Sequence, residues 1–254
     1  VAGMVGEAAW ISFVIAFVVA SLTGLTYAEL SARFPRAAGA ALFSLAAFKN
    51  KSFSYLVGFL VLLSGIVSMA TVSQAFSGYL SAWFPHFPHS VVIVTFFLVL
   101  AAINFWGIRE SSVTNLICTV IEVTGILIVI VAGMRFWGKA DYLNVTPASG
   151  ISVHAAVLQA GVLAFYAFIG FEDLANLAEE VREPEKTLPR AILAALGIAT
   201  VIYFLTAIAA VSAVSPRELS ASSAPLMLVV SRGLPLIPKE LFALIALFAV
   251  ANTA

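Results

Sequence analysis

The chain has 254 residues, of which 62% are hydrophobic and 10% are charged, and its formal net charge is zero. About a quarter of the residues in a soluble domain are charged, so this composition and the mean hydropathy of +1.06 exclude a water-soluble enzyme, a nucleic-acid binder and a disordered chain. The chain is predicted to be an α-helical membrane protein with several spans, since each spanning helix needs about 20 apolar residues.

Seven stretches have the length and apolar character of membrane-spanning helices. The longest stretch without a charged residue, 52–108, is too long for one span. Its Pro85 and Pro88 indicate a turn outside the bilayer, because a proline cluster leaves backbone groups unsatisfied in lipid. The predicted spans are residues 8–30, 53–83, 90–107, 111–135, 153–175, 188–215 and 240–254. We expect them to form one transmembrane domain over residues 1–254, truncated at both ends because the sequence opens without an initiator methionine and stops inside an apolar run.

The distribution of basic residues predicts the orientation of these spans. The loops after the first, third and fifth spans hold eight of the thirteen lysines and arginines, and the opposite loops hold five. Cytoplasmic loops are the more basic ones, so the first set is expected to face the cytoplasm. The chain is therefore predicted to be an integral multi-pass protein of the cell membrane (plasma or inner).

Glu122 is an acidic residue inside the predicted fourth span. It lies eleven residues after Ser111, which at 1.5 Å per residue is about 16 Å deep, near the middle of a core about 30 Å thick. A carboxylate at that depth normally faces a cavity, a partner or a proton path. Two interpretations stay open: coupling to a proton or cation, or a protonated glutamic acid hydrogen-bonded to a neighbouring helix.

The predicted fifth span contains a second unusual feature. Its apolar run reaches Gly170 and is followed by two adjacent acids, Glu172 and Asp173. Glycine weakens a helix, and acids are tolerated at membrane depth where irregular backbone lines a wet cavity, as in the broken helices of secondary transporters. The alternative is that the membrane ends near Gly170 and the acids are solvated. Glu172, Asn176 and Glu179 have the spacing of one α-helical face.

Two motifs resemble those of the amino acid–polyamine–organocation (APC) permeases. The first comprises residues 27–30 (YAEL), 33–35 (RFP) and Gly39. The second comprises residues 168–171 (FIGF), 178–180 (AEE), Pro184 and 188–192 (LPRAI). The resemblance extends over essentially the whole chain. It implies an all-α polytopic membrane protein with a partial five-plus-five inverted-repeat (LeuT-like) transporter fold, about seven visible transmembrane segments, and breaks in family helices one and six.

The resemblance also implies a substrate site at the break in the sixth family helix. The backbone carbonyls of Tyr166, Ala167 and Ile169 would hold the α-amino group of an amino acid. Gly170 would permit the break, and Phe171 would be the aromatic gate over the bound substrate.

A separate set of residues is predicted for ion coupling. Glu122 is the candidate for ion or proton coupling because of its depth in the fourth span. Some proton-coupled relatives carry a lysine at this position, and since a carboxylate reverses the charge, their coupling scheme does not transfer to this chain. Glu172 is a secondary candidate, and so is Asn252 in residues 247–253, which resemble the family's eighth helix.

The function implied by the resemblance is secondary active transport of amino acids by alternating access, coupled to H⁺ or Na⁺ or working by exchange. No enzymatic activity, cofactor or metal is expected, and the partners would be the amino acid, the coupling ion and the lipid bilayer, without nucleic acid. An alternative is a polyamine or organic-cation transporter of the same superfamily, with Glu122 or Glu172 as the acid in the pocket. A seven-span receptor is disfavoured by the single cysteine and the broken helix, and a membrane hydrolase by the lack of a nucleophile–base or metal constellation.

Overall fold

The regular structure of the chain is almost entirely helical. The computed structural model describes residues 1–37, 39–81, 83–105, 112–147 and 150–253. In chain order the α-helices are α1 (Ala2–Val5), α2 (Ala9–Arg33), α3 (Gly39–Phe48), α4 (Lys51–Leu80), α5 (His89–Phe105), α6 (Ser112–Met134), α7 (Val153–Phe165), α8 (Pro184–Ala213), α9 (Pro216–Ala221), α10 (Pro225–Gly233) and α11 (Lys239–Thr253). Two 3-10 helices, Tyr166–Phe168 and Phe171–Leu177, follow α7.

Five helical stretches among the described residues are long and apolar enough to cross a membrane. They are Ala9–Arg33, Lys51–Leu80, Leu116–Met134, Val153–Leu177 and Pro184–Ala213. The apolar side chains along α4 are mostly exposed, which suits a helix whose solvent is lipid and would be unfavourable in water. This confirms the predicted class, an all-α polytopic membrane protein. The predicted span ends at residues 107, 111 and 254 lie outside the described residues.

The chain forms two compact units, each built from two separate segments. Unit 1 comprises residues 1–65 and 141–207, and unit 2 comprises residues 66–140 and 208–254. The long helices α4 and α8 therefore contribute residues to both units.

Unit 1 is held together by close packing of α2 against α7. The buried residues of α2 are small and recur every three or four positions, from Ala16 to Ala28, and α7 likewise buries small residues such as Ala160 and Ala164. Helices in lipid gain no hydrophobic free energy from associating, so small residues that let backbones approach are the usual means of packing them. A cluster of larger side chains completes this core, including Phe168 of the first 3-10 helix and Ile192 of α8.

The segment before α7 is tied to the N-terminal residues of unit 1. The Glu7 carboxylate accepts a hydrogen bond from the Asp141 backbone N–H at 2.6 Å. The Trp10 indole N–H donates to the Tyr142 carbonyl at 2.8 Å. These bonds fix the approach to α7, and α7 begins at Val153 with the Ser152 side chain as its N-cap.

Unit 2 packs α6 against α10 and α11. Glycines allow the backbones to approach closely, since a Cβ at Gly133 would lie 2.6 Å from the Ala209 carbonyl oxygen. At the end of α6, the Arg135 guanidinium donates to the Gly233 carbonyl at 3.0 Å and so caps α10.

A polar network outside the spans caps the short helix α9 and connects it to its neighbours. Ser215 and Glu218 form a capping box, and the Arg232 guanidinium pairs with Glu218. The hydrogen bond from the Ser215 hydroxyl, followed by that from Arg232, holds the pKa of Glu218 below its ordinary value of 4.5. Arg232 also donates to the Ala213 carbonyl at 3.1 Å, so the network links α10 to the end of α8.

Helix α8 begins at Pro184, four residues before residue 188, where the predicted sixth span begins. Thr187 followed by Pro189 has the pattern of an N-cap with a proline in the first turn of a helix. Thr187 is not an N-cap, because its hydroxyl donates to the Arg182 carbonyl at 2.9 Å and its backbone N–H to the Glu183 carbonyl at 3.0 Å. Pro184 supplies the first helical position, where a missing N–H costs nothing.

Candidate functional site

The helix that begins at Val153 is interrupted at Ile169 and Gly170. Helix α7 ends at Phe165 and tightens into the 3-10 turn Tyr166–Phe168. Ile169 is extended, with φ −61° and ψ 140°, and Gly170 has φ +119° and ψ −19°. Only glycine adopts such a positive φ without steric cost, so the glycine that the sequence singled out is the residue that permits the break.

The backbone at the break has its own pattern of hydrogen bonds. The Ile169 N–H donates to the Tyr166 carbonyl at 3.2 Å, and the Asp173 N–H donates to the Gly170 carbonyl at 3.1 Å. The Gly170 N–H donates to the carboxylate of Glu172 at 2.9 Å. Glu172 thus satisfies a backbone donor that a continuous helix would have satisfied with a carbonyl.

After the break the chain forms the 3-10 helix Phe171–Leu177 rather than an α-helix. A 3-10 helix has three residues per turn, so the predicted common face of Glu172, Asn176 and Glu179 is wrong. The three side chains instead have different neighbours: Glu172 bonds to Gly170, and Glu179 accepts a hydrogen bond from the Ala37 N–H at 3.3 Å. Asn176 faces Gly39, where a Cβ would lie 3.1 Å from its side-chain oxygen.

A cavity of about 280 Å³ opens beside the break within unit 1. One wall is the interrupted segment, including Ala167, Ile169 and Gly170. The opposite wall is the face of α8 that carries Ala195, Leu196, Ala199 and Tyr203. Sequence reasoning missed the α8 wall, because no pattern in this span distinguishes Tyr203 and the alanines from its other residues.

Phe171, the predicted aromatic gate, is buried at 8% exposure. Its ring meets the Tyr27 ring edge-on, with centroids 5.7 Å apart and an interplanar angle of 90°. Tyr27 belongs to the first motif and Phe171 to the second, so the two motifs that carry the family resemblance lie against each other. Phe171 also borders the cavity.

In unit 2 the structure brings together two of the residues predicted for ion coupling. Glu122 of α6 is half-buried, and its carboxylate is hydrogen-bonded to the side chain of Asn252 of α11. The two helices pack closely where Gly125 faces Ile245. The carboxylate within the span therefore has a polar partner on a neighbouring helix.

The helices, their exposed apolar surface and the interrupted span define an integral multi-pass α-helical membrane protein. A family model described as amino acid permease matches residues 1–252, and the chain belongs to the amino acid permease family. The resemblance seen in the sequence is thereby confirmed.

Curated relatives of the chain are named transporters. The chain is 32% identical to an uncharacterized transporter of Mycobacterium tuberculosis, over 87% of this chain and 49% of the relative. It is 31% identical to cationic amino acid transporter 4 of Mus musculus, over 80% and 35%. It is 30% identical to the inner membrane transport protein YbaT of Escherichia coli, over 83% and 49%. The chain therefore spans half or less of the length of these relatives.

Proposed function

We propose that the protein is a secondary active transporter of amino acids in the plasma or inner membrane, working by alternating access. The observation that carries this proposal is the interruption at Ile169 and Gly170 beside a cavity of about 280 Å³. Irregular backbone at membrane depth is tolerated where it lines a cavity. Broken helices of this kind present backbone groups and helix ends to the substrates of transporters.

The substrate would bind with its α-amino group at the carbonyls of Tyr166, Ala167 and Ile169. A peptide carbonyl is an acceptor with two lone pairs, so carbonyls near the break suit an ammonium group. Gly170, with its positive φ, separates these carbonyls from the following 3-10 helix. Phe171, held against Tyr27, would close over the bound amino acid.

The coupling step is assigned to the pair formed by Glu122 and Asn252. A carboxyl inside a span costs several kcal/mol if charged and unpartnered, so its charge is sensitive to an ion or proton that arrives beside it. Asn252 can donate to the carboxylate and accept from a protonated acid, and can therefore serve either state. H⁺ and Na⁺ both fit this arrangement, as does exchange without net ion movement.

A second candidate is transport of a cationic amino acid, a polyamine or another organic cation. It is favoured by the carboxylate of Glu172 at the break and by the similarity to the mouse relative, which is named a cationic amino acid transporter. A cationic side chain would have to reach that carboxylate, whose Oε2 already accepts the Gly170 N–H.

Uptake by the complete protein in proteoliposomes tests the proposal. Labelled amino acids and polyamines would be offered with and without an inward proton or sodium gradient. We expect saturable amino acid uptake that rises with one of the gradients. Uptake of polyamines alone would favour the second candidate, and no uptake of either by folded protein would refute the transport proposal.

A further inference from the structure

The cavity beside the break is lined entirely by uncharged residues. Its lining consists of Ala167, Phe168, Ile169, Gly170, Phe171, Leu174, Ala195, Leu196, Ala199 and Tyr203. None of these side chains carries a formal charge, and the Tyr203 hydroxyl is their single polar group. A pocket of this composition solvates an apolar substituent well and a charged one badly, because an unpaired charge in apolar surroundings costs several kcal/mol.

Glu172, the acid that is hydrogen-bonded at the break, does not belong to this lining. The carboxylate of Glu172 accepts the Gly170 N–H at 2.9 Å and so serves the backbone of the break. Its Oε2 is engaged there, and moving the carboxylate away from the break would leave the Gly170 N–H without this acceptor, which is costly in a membrane protein. The backbone at the break can hold an ammonium group, but the cavity offers no carboxylate to a second positive charge.

The shape of the cavity is set by the α8 wall. Ala195 and Ala199 are small and lie four residues apart, on one face of the helix. Tyr203, one turn further on, meets the Phe168 ring edge-on, with centroids 5.2 Å apart, and the Phe13 ring at a tilt of 44°, with centroids 6.1 Å apart. The alanines leave room for a side chain, and the fixed tyrosine ring limits how long that side chain can be.

From this lining we infer that the protein selects amino acids with uncharged, apolar side chains, and that Ala195, Ala199 and Tyr203 of α8 determine which ones fit. The inference rests on the proposed transport function and narrows its substrate. It runs against the cationic substrate in the name of the mouse relative, because the described residues around the cavity supply no charge for such a side chain.

The first test is a competition panel against labelled leucine uptake by the complete wild-type protein in proteoliposomes. Alanine, valine, leucine and phenylalanine are expected to compete, and lysine, arginine and putrescine to compete at least tenfold less well. Stronger competition by lysine or arginine would overturn the inference while leaving amino acid transport intact. Uptake of no amino acid at all would overturn the transport proposal itself and, with it, this inference.

The second test fills the cavity from the α8 side. Ala195→Leu is compared with Ala194→Leu, because both alanines are exposed neighbours on α8 and only Ala195 lines the cavity. A pocket discriminates a single methylene by about 10- to 200-fold. Ala195→Leu should therefore weaken competition by leucine about tenfold or more and leave competition by alanine within about twofold. Ala194→Leu should match wild type.

Size-exclusion profiles and the retained competition by alanine show whether each variant is folded. If Ala195→Leu folds poorly, Ala199→Leu makes the same test from the next turn of the helix. Equal selectivity of Ala195→Leu, Ala199→Leu and Ala194→Leu would overturn the assignment of the α8 wall.

Discussion

Replacing Gly170 with alanine tests the helix break by changing backbone conformation alone. Gly170 has φ +119°, and a Cβ added there would meet nothing within 4 Å. The cost of the substitution is therefore conformational strain, which for a residue in such a region is about 1–3 kcal/mol. If the binding-competent state requires this φ, the same free energy appears as a loss of substrate affinity of about 5- to 150-fold.

The matched control is Gly197→Ala in α8. A Cβ at Gly197 also meets nothing within 4 Å, but this glycine lies in regular helix without a positive φ. Alanine is favoured over glycine in a helix by about 1 kcal/mol, so this variant should be as stable as wild type or more stable. Gly150→Ala is the second control, since Gly150 has φ +85° and open space around it but does not line the cavity.

The assay measures amino acid binding and thermal unfolding of the complete protein in the same detergent. We expect Gly170→Ala to weaken amino acid binding. Gly150→Ala should lower the melting temperature without changing the affinity. Gly197→Ala should lower neither the affinity nor the melting temperature. Gly170→Ala with wild-type affinity and wild-type stability would refute the reasoning, because it would mean that the left-handed glycine is not required.

Three further predictions address other parts of the molecule. Glu122→Gln should impair gradient-driven uptake more than substrate binding. The control Glu29→Gln, at the exposed end of a helix, should affect neither. Unchanged pH-dependent uptake by Glu122→Gln would contradict the coupling role of Glu122. Gly133→Ala should lower the free energy of unfolding by about 1–3 kcal/mol because the added Cβ has no room. Gly65→Ala should not lower it, because a Cβ there meets nothing within 4 Å. Equal melting temperatures of the two variants would contradict the close packing of α6 against α8 at Gly133. The lowered pKa of Glu218 means that its network stabilises the fold above pH 4.5 and that this stabilisation is lost as the pH falls through the lowered value. Glu218→Gln should therefore remove this part of the pH dependence of the melting temperature. A variant with the same pH profile as wild type would contradict the stabilising role of the network.

Much of the helical architecture was predictable because local composition decides it. A charge-free run of about 20 residues has no favourable structure in lipid other than a helix, and this predicts α2 and α4 without knowledge of their neighbours. Helix ends were less predictable: Thr187 and Pro189 have the pattern of an N-terminus, yet α8 begins at Pro184, because another proline can also occupy the first turn.

The position of the helix break in the candidate site was predictable from the sequence. The side chains that pack around the break were not. Gly170 was identified from sequence because glycine before two acids is unusual in an apolar run. The 3-10 form of the segment after it was not predictable, since side chains in it and just beyond it reach partners far away in the chain: Phe171 packs on Tyr27, and Glu179 bonds to Ala37.

The sequence by itself determined that this is a multi-pass membrane protein, where its apolar helices lie, and where a helix is interrupted, because each of these depends on the composition of a short stretch and the cost of unsatisfied backbone in lipid. Only the tertiary structure decided that Glu122 meets Asn252 and that a face of α8 closes the cavity. Such contacts join residues far apart in the chain, and they depend on how closely helices pack and in which rotation, which no local pattern specifies.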